Sequence, residues 1–276
     1  MLAATLVTKT FSRWSDHEGQ RLGAALAFYT LLSAAPLLVF VLLALSGFYG
    51  TEAVEQTIAA AVRTMIGPTA AEVVRSFLDS ARRPSHSTLA GFIAFGTLIF
   101  GASAAFAELR EDLNKMWDAR PRNKGLFGLV VQRAFAFFLV LASGVLLFAV
   151  MLVSTAVTFI TRHFKDLVPV SPVLLTVANS FLSFALLTLI FVLIYRFVPD
   201  RVLPWRVLWT GAPVSALLLV IGKTLLGWYL AKAGVGSAYG IAGSLIAIAF
   251  WLYYSAQIFL LGAEFTYVWA LRPKAA

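Results

Sequence analysis

The sequence predicts an all-α, polytopic membrane protein with six transmembrane helices and both termini in the cytoplasm. Of its residues, 60% are hydrophobic and 13% are charged, whereas a soluble domain carries roughly 25% charged residues. Six hydrophobic stretches also reach the length of about 20 residues that a helix needs to cross a hydrocarbon core of roughly 30 Å. The stretches are Leu22–Phe48, Thr88–Ala107, Ala134–Ile160, Val173–Tyr195, Val207–Ala231 and Gly240–Ala263.

The distribution of positive charge predicts the topology. Of the 22 Lys and Arg residues, 14 fall on the side of both termini and of the loops after the second and fourth stretches. Seven fall on the other side, and Lys223 lies within a stretch. Cytoplasmic loops carry the excess of Lys and Arg, so both termini are expected inside. The short connections leave room for one membrane domain, residues 1–276.

Residues 49–87 are expected outside the cell membrane and predict two short amphipathic helices that break at Gly67-Pro68. Val54 and Ile58 recur at helical spacing before the break, and Val74 and Leu78 do so after it. Such helices either cover apolar surface or cap a cavity. We favour the first, because amphipathic helices usually cover apolar surface.

The cytoplasmic connection after the second stretch is strongly basic. Arg120, Arg122 and Lys124 form a run close to the membrane, where such residues contact anionic lipid headgroups. The same contact explains a pI near 10.0, so we expect lipid and not nucleic acid as the anionic partner. The chain contains no cysteine, which excludes disulfides and thiolate metal sites, and we expect no cofactor.

Four sequence blocks stand out along the chain. They read GAALAFYTLLSAAPLL at 23–38, LNKMW at 113–117, YRFVPD at 195–200 and YGIAGSL at 239–245, the last running on to Glu264. Together they resemble the YihY/BrkB family of bacterial inner-membrane proteins. The resemblance implies six spans, cytoplasmic termini and an inner-membrane location. It also implies a role in the cell envelope, with lipid or solute transport proposed for some members and an old ribonuclease BN label on others.

A nuclease site is not supported by the residues. Metal-dependent RNA cleavage needs clustered His and carboxylate ligands, whereas the topology places His17 inside and both His86 and His163 outside. We therefore expect the protein not to be an enzyme.

Polar residues within the membrane are candidates for function by default. Tyr253, Gln257 and Glu264 share one face of the sixth span, at i, i+4 and i+11. They either line a hydrophilic cavity or, for Gln257, make a bond between helices while Glu264 meets water. Glu108 ends the second span on the same side as Glu264 and follows a small-residue surface, Gly101–Ala105. Each carboxylate either exchanges a proton or cation, or pairs with Arg110 or Arg196.

Further candidates lie in the first and fifth spans. Tyr29 and Ser33 share a face of the first span, and Pro36 predicts a kink there, which either serves a gate or is only structural. Lys223 of the fifth span either snorkels to the outer interface or contacts an anionic substrate.

Two functions are consistent with these features. The first is a transporter or lipid-translocating protein that works through a cavity among the helices. The second is a membrane scaffold that binds lipid or an envelope partner without transport. Intramembrane Pro, Gly and polar residues favour the first. If the carboxylates serve transport, Glu264→Gln and Glu108→Gln should fold normally and lose flux, whereas a pairing role predicts lower stability.

Overall fold

The computed structural model describes residues 2–65, 68–82, 88–120, 172–233 and 235–272. These residues form helices joined by short turns, without any strand. The helices are α1 (Leu2–Asp16), α2 (Gly19–Tyr49), α3 (Thr51–Met65), α4 (Pro68–Arg82), α5 (Thr88–Met116), α6 (Pro172–Phe197), α7 (Trp205–Ala233) and α8 (Val235–Ala270).

Each predicted span that falls on described residues lies within a single helix, namely α2, α5, α6, α7 or α8. The third predicted span, 134–160, lies outside the described residues. Within the described part of the chain, three ranges are long and apolar enough to cross a bilayer: Ser180–Phe197, Trp205–Leu226 and Leu245–Ala270. The all-helical class and the membrane-spanning character are therefore confirmed, while the six-span count and the cytoplasmic termini stay predictions.

Large apolar side chains cover the outside of these helices. Phe181 on α6 is 72% exposed, Leu225 on α7 is 61% exposed, and Leu245 and Phe250 on α8 are also exposed. A soluble protein seldom exposes large apolar side chains in such number. Such a surface fits acyl chains, which solvate apolar side chains as well as a protein core does.

The chain divides into two compact units. The first unit comprises described residues of Met1–Arg13, Leu113–Leu218 and Leu261–Ala276, and the second those of Trp14–Asp112 and Leu219–Leu260.

In the second unit, α3 and α4 pack on each other and on the end of α2. Leu42 of α2, Val54 of α3 and Val74 and Leu78 of α4 form their common buried core. The helix break was predicted at Gly67-Pro68, and α4 begins at Pro68, where proline is well tolerated because a first-turn N–H has no intrahelical acceptor. The two amphipathic helices thus cover apolar surface, as we favoured.

Two local features differ from the expectation. Residues 2–16 form the amphipathic helix α1, which no long apolar stretch in the sequence indicates. Local propensity predicts a flexible reversal for the Gly-rich segment 234–240, but α8 begins at Val235. At membrane depth a helix satisfies the backbone N–H and C=O groups that a loop would leave without partners, which outweighs the low helix propensity of glycine.

Candidate functional site

An ion pair joins the N-terminal helix to the last helix of the first unit. Glu264 of α8 is completely buried, and the Arg13 side chain, in the last turn of α1, donates a hydrogen bond from Nε to Glu264 Oε1. Burying a carboxylate in an apolar environment is very unfavourable unless a cation and hydrogen bonds compensate its charge. Arg13 supplies both, so the position of α1 and the burial of Glu264 depend on each other.

The same guanidinium makes two further contacts. Its Nη2 donates to Oδ2 of Asp118, just beyond the C-terminus of α5, at 2.8 Å. Its Cζ lies over the ring of Tyr267, 5.0 Å from the ring centroid. Arg13 therefore binds three partners from two other parts of the first unit. Its planar fork of five N–H donors is suited to this, whereas a lysine would offer a single point charge.

A second arginine also contacts Tyr267. Arg201, in the turn between α6 and α7, lies 4.9 Å from the Tyr267 ring centroid. It donates to Tyr267 Oη at 2.6 Å and to the carbonyl oxygen of Trp117 at 2.9 Å. Arg13, Asp118, Arg201, Glu264 and Tyr267 thus form one connected set, which we call the polar network.

The end of α5 supports this network. The N–H of Ala119 donates to the Asn114 carbonyl at 2.8 Å, and Asp118 has a φ of 48°. This is a Schellman-type helix end, in which glycine usually occupies the left-handed position. Aspartate there is less favourable for the backbone by about 1 kcal/mol, but it places a carboxylate next to Arg13.

Trp117 and Asn114 fix the end of α5 to neighbouring elements. The buried Trp117 indole donates to the Ala263 carbonyl of α8 at 2.9 Å. Asn114 donates to Asp200 Oδ2 and accepts from the Asp200 backbone N–H, both at 2.8 Å. These bonds use side chains of the LNKMW and YRFVPD blocks, so the two blocks meet in space.

The helices α7 and α8 approach each other closely in the first unit. A Cβ atom added to Gly262 would overlap Ser215, and one added to Gly211 would overlap Thr266. Ser215 Oγ lies 3.0 Å from the hydroxyl of the fully buried Tyr195. Small residues allow helix backbones to approach closely in membranes, and here they hold α8, and with it Glu264, against α7.

A shallow depression opens beside the network. Its volume is about 360 Å³, and it is lined by Asp118, Ala119, Arg120, Asp200 and Arg201. Arg120 is exposed at its rim, consistent with the predicted contact to lipid headgroups, while Arg122 and Lys124 lie outside the described residues. No group of three or more His, Asp or Glu residues in the described ranges is arranged to hold a metal ion.

In the second unit, Gln257 of α8 contacts the start of α2. Its amide nitrogen donates to the Gln20 carbonyl at 3.1 Å, and the amide lies where a side chain at Gly23 would be. Its carbonyl oxygen is buried and accepts no hydrogen bond from the described residues. Gln257 thus faces protein, as the shared face with Tyr253 and Glu264 predicted, and Tyr253 is half-buried.

Of the candidates on α2, Ser33 lies against α5. Ser33 is buried and donates to the Thr30 carbonyl at 3.0 Å. A Cβ atom at Gly101 of α5 would come within 3.3 Å of Ser33, so the small-residue surface of α5 does mediate close helix approach. Tyr29 is half-buried, and α2 continues as a helix through Pro36.

Glu108 and Lys223 occupy different surroundings in the same unit. Glu108 lies just beyond the predicted end of the second span and is half-buried. Burial raises the pKa of its carboxyl above the ordinary value, the neighbouring charge of Glu111 raises it further, and Arg21 opposes both effects. Lys223 on α7 is exposed.

The structure therefore divides the predicted site residues. Glu264 belongs to the polar network of the first unit, whereas Tyr29, Ser33, Glu108, Lys223 and Gln257 belong to the second unit. The partner of Glu264 is Arg13, which sequence reasoning missed because no hydrophobic-span pattern extends to residues 2–16. The signal was present in the helical spacing of Thr10 and Trp14, which predicts a buried face on α1 with Arg13 at its edge.

Comparison with known proteins assigns the chain to a protein family. The model of a family described as virulence factor BrkB matches residues 10–276. YfkH of Bacillus subtilis, named a ribonuclease-like protein, is 26% identical over 98% of this chain and 97% of its own length.

Two further relatives carry the name UPF0761 membrane protein. The protein of Chromobacterium violaceum is 28% identical over 89% of this chain, which spans only 57% of that relative. The protein of Aeromonas salmonicida is 26% identical over 92% of this chain and 86% of its own length. No solved structure is significantly similar to the chain.

Proposed function

This chain belongs to the BrkB family of membrane proteins, and we propose that it moves a phospholipid or another amphipathic molecule across the bacterial inner membrane. The observation that carries the proposal is the Arg13–Glu264 pair. A buried carboxylate at the end of a spanning helix has its countercharge on a separate, short helix. The pair can open when α1 moves, without the unfolding of any span.

The pair has the properties of a latch at the predicted cytoplasmic end. When Arg13 is in place, Glu264 is shielded from water. When α1 moves away, the carboxylate loses the guanidinium of Arg13, and water, a proton or a cation can replace that contact. This coupling links the position of α1 to access at the end of α8, as a gated pathway requires.

Gln257 offers a second supporting feature. Its buried carbonyl oxygen has no donor among the described residues, and an acceptor of this kind is expensive inside the membrane unless water or a ligand donates to it. The oxygen lies on the α8 face predicted to carry Tyr253 and Glu264 as well. A hydroxyl or amine of a translocated headgroup could supply the missing donor.

A scaffold function is the alternative, and the contacts of the polar network beyond the Arg13–Glu264 pair support it. Arg13 and Arg201 bind protein groups on several sides, which is typical of a network that holds helices in place. Within the described ranges, the depression beside the network is shallow and open. A scaffold would use this surface to bind a lipid headgroup or an envelope partner and would move nothing.

We propose further that the chain is not a nuclease. His17 is the one histidine within the described residues, on the segment between α1 and α2, and the topology predicts that the other two lie across the membrane. These residues therefore could not form a ribonuclease site of the kind that the name of YfkH suggests.

A lipid-movement assay separates translocation from scaffolding. The purified full-length protein is reconstituted into vesicles that contain a trace of fluorescently labelled phosphatidylglycerol, and dithionite is added to reduce the label in the outer leaflet. Translocation predicts that the label of the inner leaflet is also lost, at a rate proportional to protein per vesicle. Loss of the outer-leaflet fraction alone, as in protein-free vesicles, would contradict translocation and favour the scaffold.

The Glu264→Gln variant tests the latch in the same assay. Glutamine keeps the shape and can still accept a hydrogen bond from Arg13, but it removes the attraction between charges. Because the structure adds Arg13 as the partner, we now expect this variant to move lipid faster than the wild type and not more slowly. An unchanged rate in a well-folded variant would refute the latch.

A further inference from the structure

We propose that α1 is an interfacial helix whose exposed apolar side lies among the acyl chains of the leaflet at the predicted cytoplasmic face. The side is formed by Val7, which is 64% exposed, and Phe11, which is 59% exposed. They are four residues apart and therefore adjacent on one side of the helix. The inference is independent of translocation, because it concerns where α1 lies and not what the protein moves.

The helix has three distinct sides. Thr10 and Trp14 are buried against protein, with Arg13 at the edge of that side. Val7 and Phe11 follow at roughly 60° around the axis, since successive residues turn by about 100°. The remaining circumference carries exposed polar side chains, namely Thr5, Thr8, Lys9, Ser12 and Asp16. One protein side, one apolar side and one polar side suit a helix that lies between protein, lipid and water.

The contacts of Arg13 set the depth of α1. Its guanidinium touches Glu264 and Tyr267, and both residues lie inside the candidate span Leu245–Ala270. The C-terminal part of α1 is therefore level with the end of a spanning helix. At that level the protein is surrounded by the boundary between headgroups and acyl chains.

Other residues of the first unit mark the same boundary. Trp205 and Trp209 are exposed on the first turns of α7, and Phe197 is exposed at the end of α6. The Arg196 guanidinium lies over the Trp205 ring at 5.1 Å. Exposed tryptophan and arginine together are typical of the interface, where an apolar ring meets acyl chains and a cation meets phosphate.

These observations favour lipid as the occupant of the apolar side. A second protein copy would need a larger apolar face than two side chains on one helix to form a stable contact. Acyl chains need no shape complementarity, and they surround every spanning helix in any case. Burial of Val7 and Phe11 in acyl chains would stabilise α1 on the membrane and so support the Arg13–Glu264 pair.

The absence of cysteine from the sequence permits a direct test with single labels. The variants Val7→Cys and Phe11→Cys are each coupled to an environment-sensitive fluorophore in the full-length protein. Thr5→Cys and Ser12→Cys are the matched controls, because they are also exposed on α1 but lie on its polar side. All four are reconstituted into vesicles of phosphatidylethanolamine and phosphatidylglycerol.

Two quenchers then report the surroundings of each label. Labels at positions 7 and 11 should be quenched by a lipid that carries a nitroxide near its headgroup and should be shielded from aqueous iodide. Labels at positions 5 and 12 should show the reverse. Equal iodide quenching at all four positions would overturn the proposal, because α1 would then lie in water. Shielding of positions 7 and 11 from both quenchers would also overturn it, because that side would then face protein.

Discussion

Removal of the guanidinium from Arg13 should strongly destabilise the protein. Arg13→Gln leaves the fully buried Glu264 without its cation, and breaking one side of a buried ion pair costs about 3–5 kcal/mol. The Arg13 side chain is itself 29% exposed, so water can reach the pair in part, and we expect the lower end, about 3 kcal/mol. For a chain of this size that loss lowers the melting temperature by roughly 6–12 °C. Intrinsic fluorescence during heating in detergent measures the shift.

Two variants make this experiment decisive. Arg21→Gln is the matched control. Arg21 also pairs with a glutamate, Glu18, but both side chains are largely exposed. The melting temperature of this variant should therefore equal that of the wild type. The double variant Arg13→Gln/Glu264→Gln should melt above Arg13→Gln, because the buried charge of Glu264 is removed as well. Equal melting of Arg13→Gln and Arg21→Gln would refute the idea that the buried pair holds α1 to α8.

Three further outcomes follow from local geometry. Gly262→Ala should lower the free energy of unfolding by about 1–3 kcal/mol, because its Cβ would overlap Ser215. Gly96→Ala is the control, because its Cβ would meet open space. In the same melting experiment this control should be neutral or stabilising. Asp118→Gly should leave the melting temperature nearly unchanged, because relief of the left-handed backbone offsets the loss of the exposed contact to Arg13; a large loss would show that the contact dominates. Glu108 has a raised pKa when folded, so it binds protons more readily than in the unfolded chain, and its contribution to stability is complete below the unfolded pKa and is lost as the pH rises through the higher folded pKa. Glu108→Gln should therefore melt at or above the wild type at neutral pH, with the difference vanishing as the pH falls toward about 4; lower stability would instead indicate an essential ion pair.

The helical architecture could be predicted because it depends on composition and period. Long apolar stretches predict spanning helices without knowledge of their partners, and the break before Pro68 follows from the covalent geometry of proline. The packing of α3 and α4 on α2 likewise follows from one apolar face on each helix. The helical start of α8 at Val235 could not be predicted from local propensity, because the membrane environment outweighs it.

The polar network was only partly predictable for a different reason. The position of Glu264 at the end of a span marked it as a candidate, but its partner lies 251 residues away in sequence. Pairing across that distance depends on where α1 docks, and the sequence alone offers Arg110 and Arg196 as equally charged alternatives. Arg201 and Tyr267 were missed because their roles come from contacts with backbone and ring faces, which leave no spacing pattern.

Reversible fixation of the latch is the most direct test of the translocation mechanism. In the double variant Arg13→Cys/Glu264→Cys, a reducible bis-methanethiosulfonate reagent joins α1 to α8, and movement of labelled phosphatidylglycerol is followed before and after the reductant is added. The account predicts that the cross-linked protein moves no lipid and that reduction restores movement. Equal lipid movement by the cross-linked and the reduced protein would contradict the claim that α1 controls the pathway.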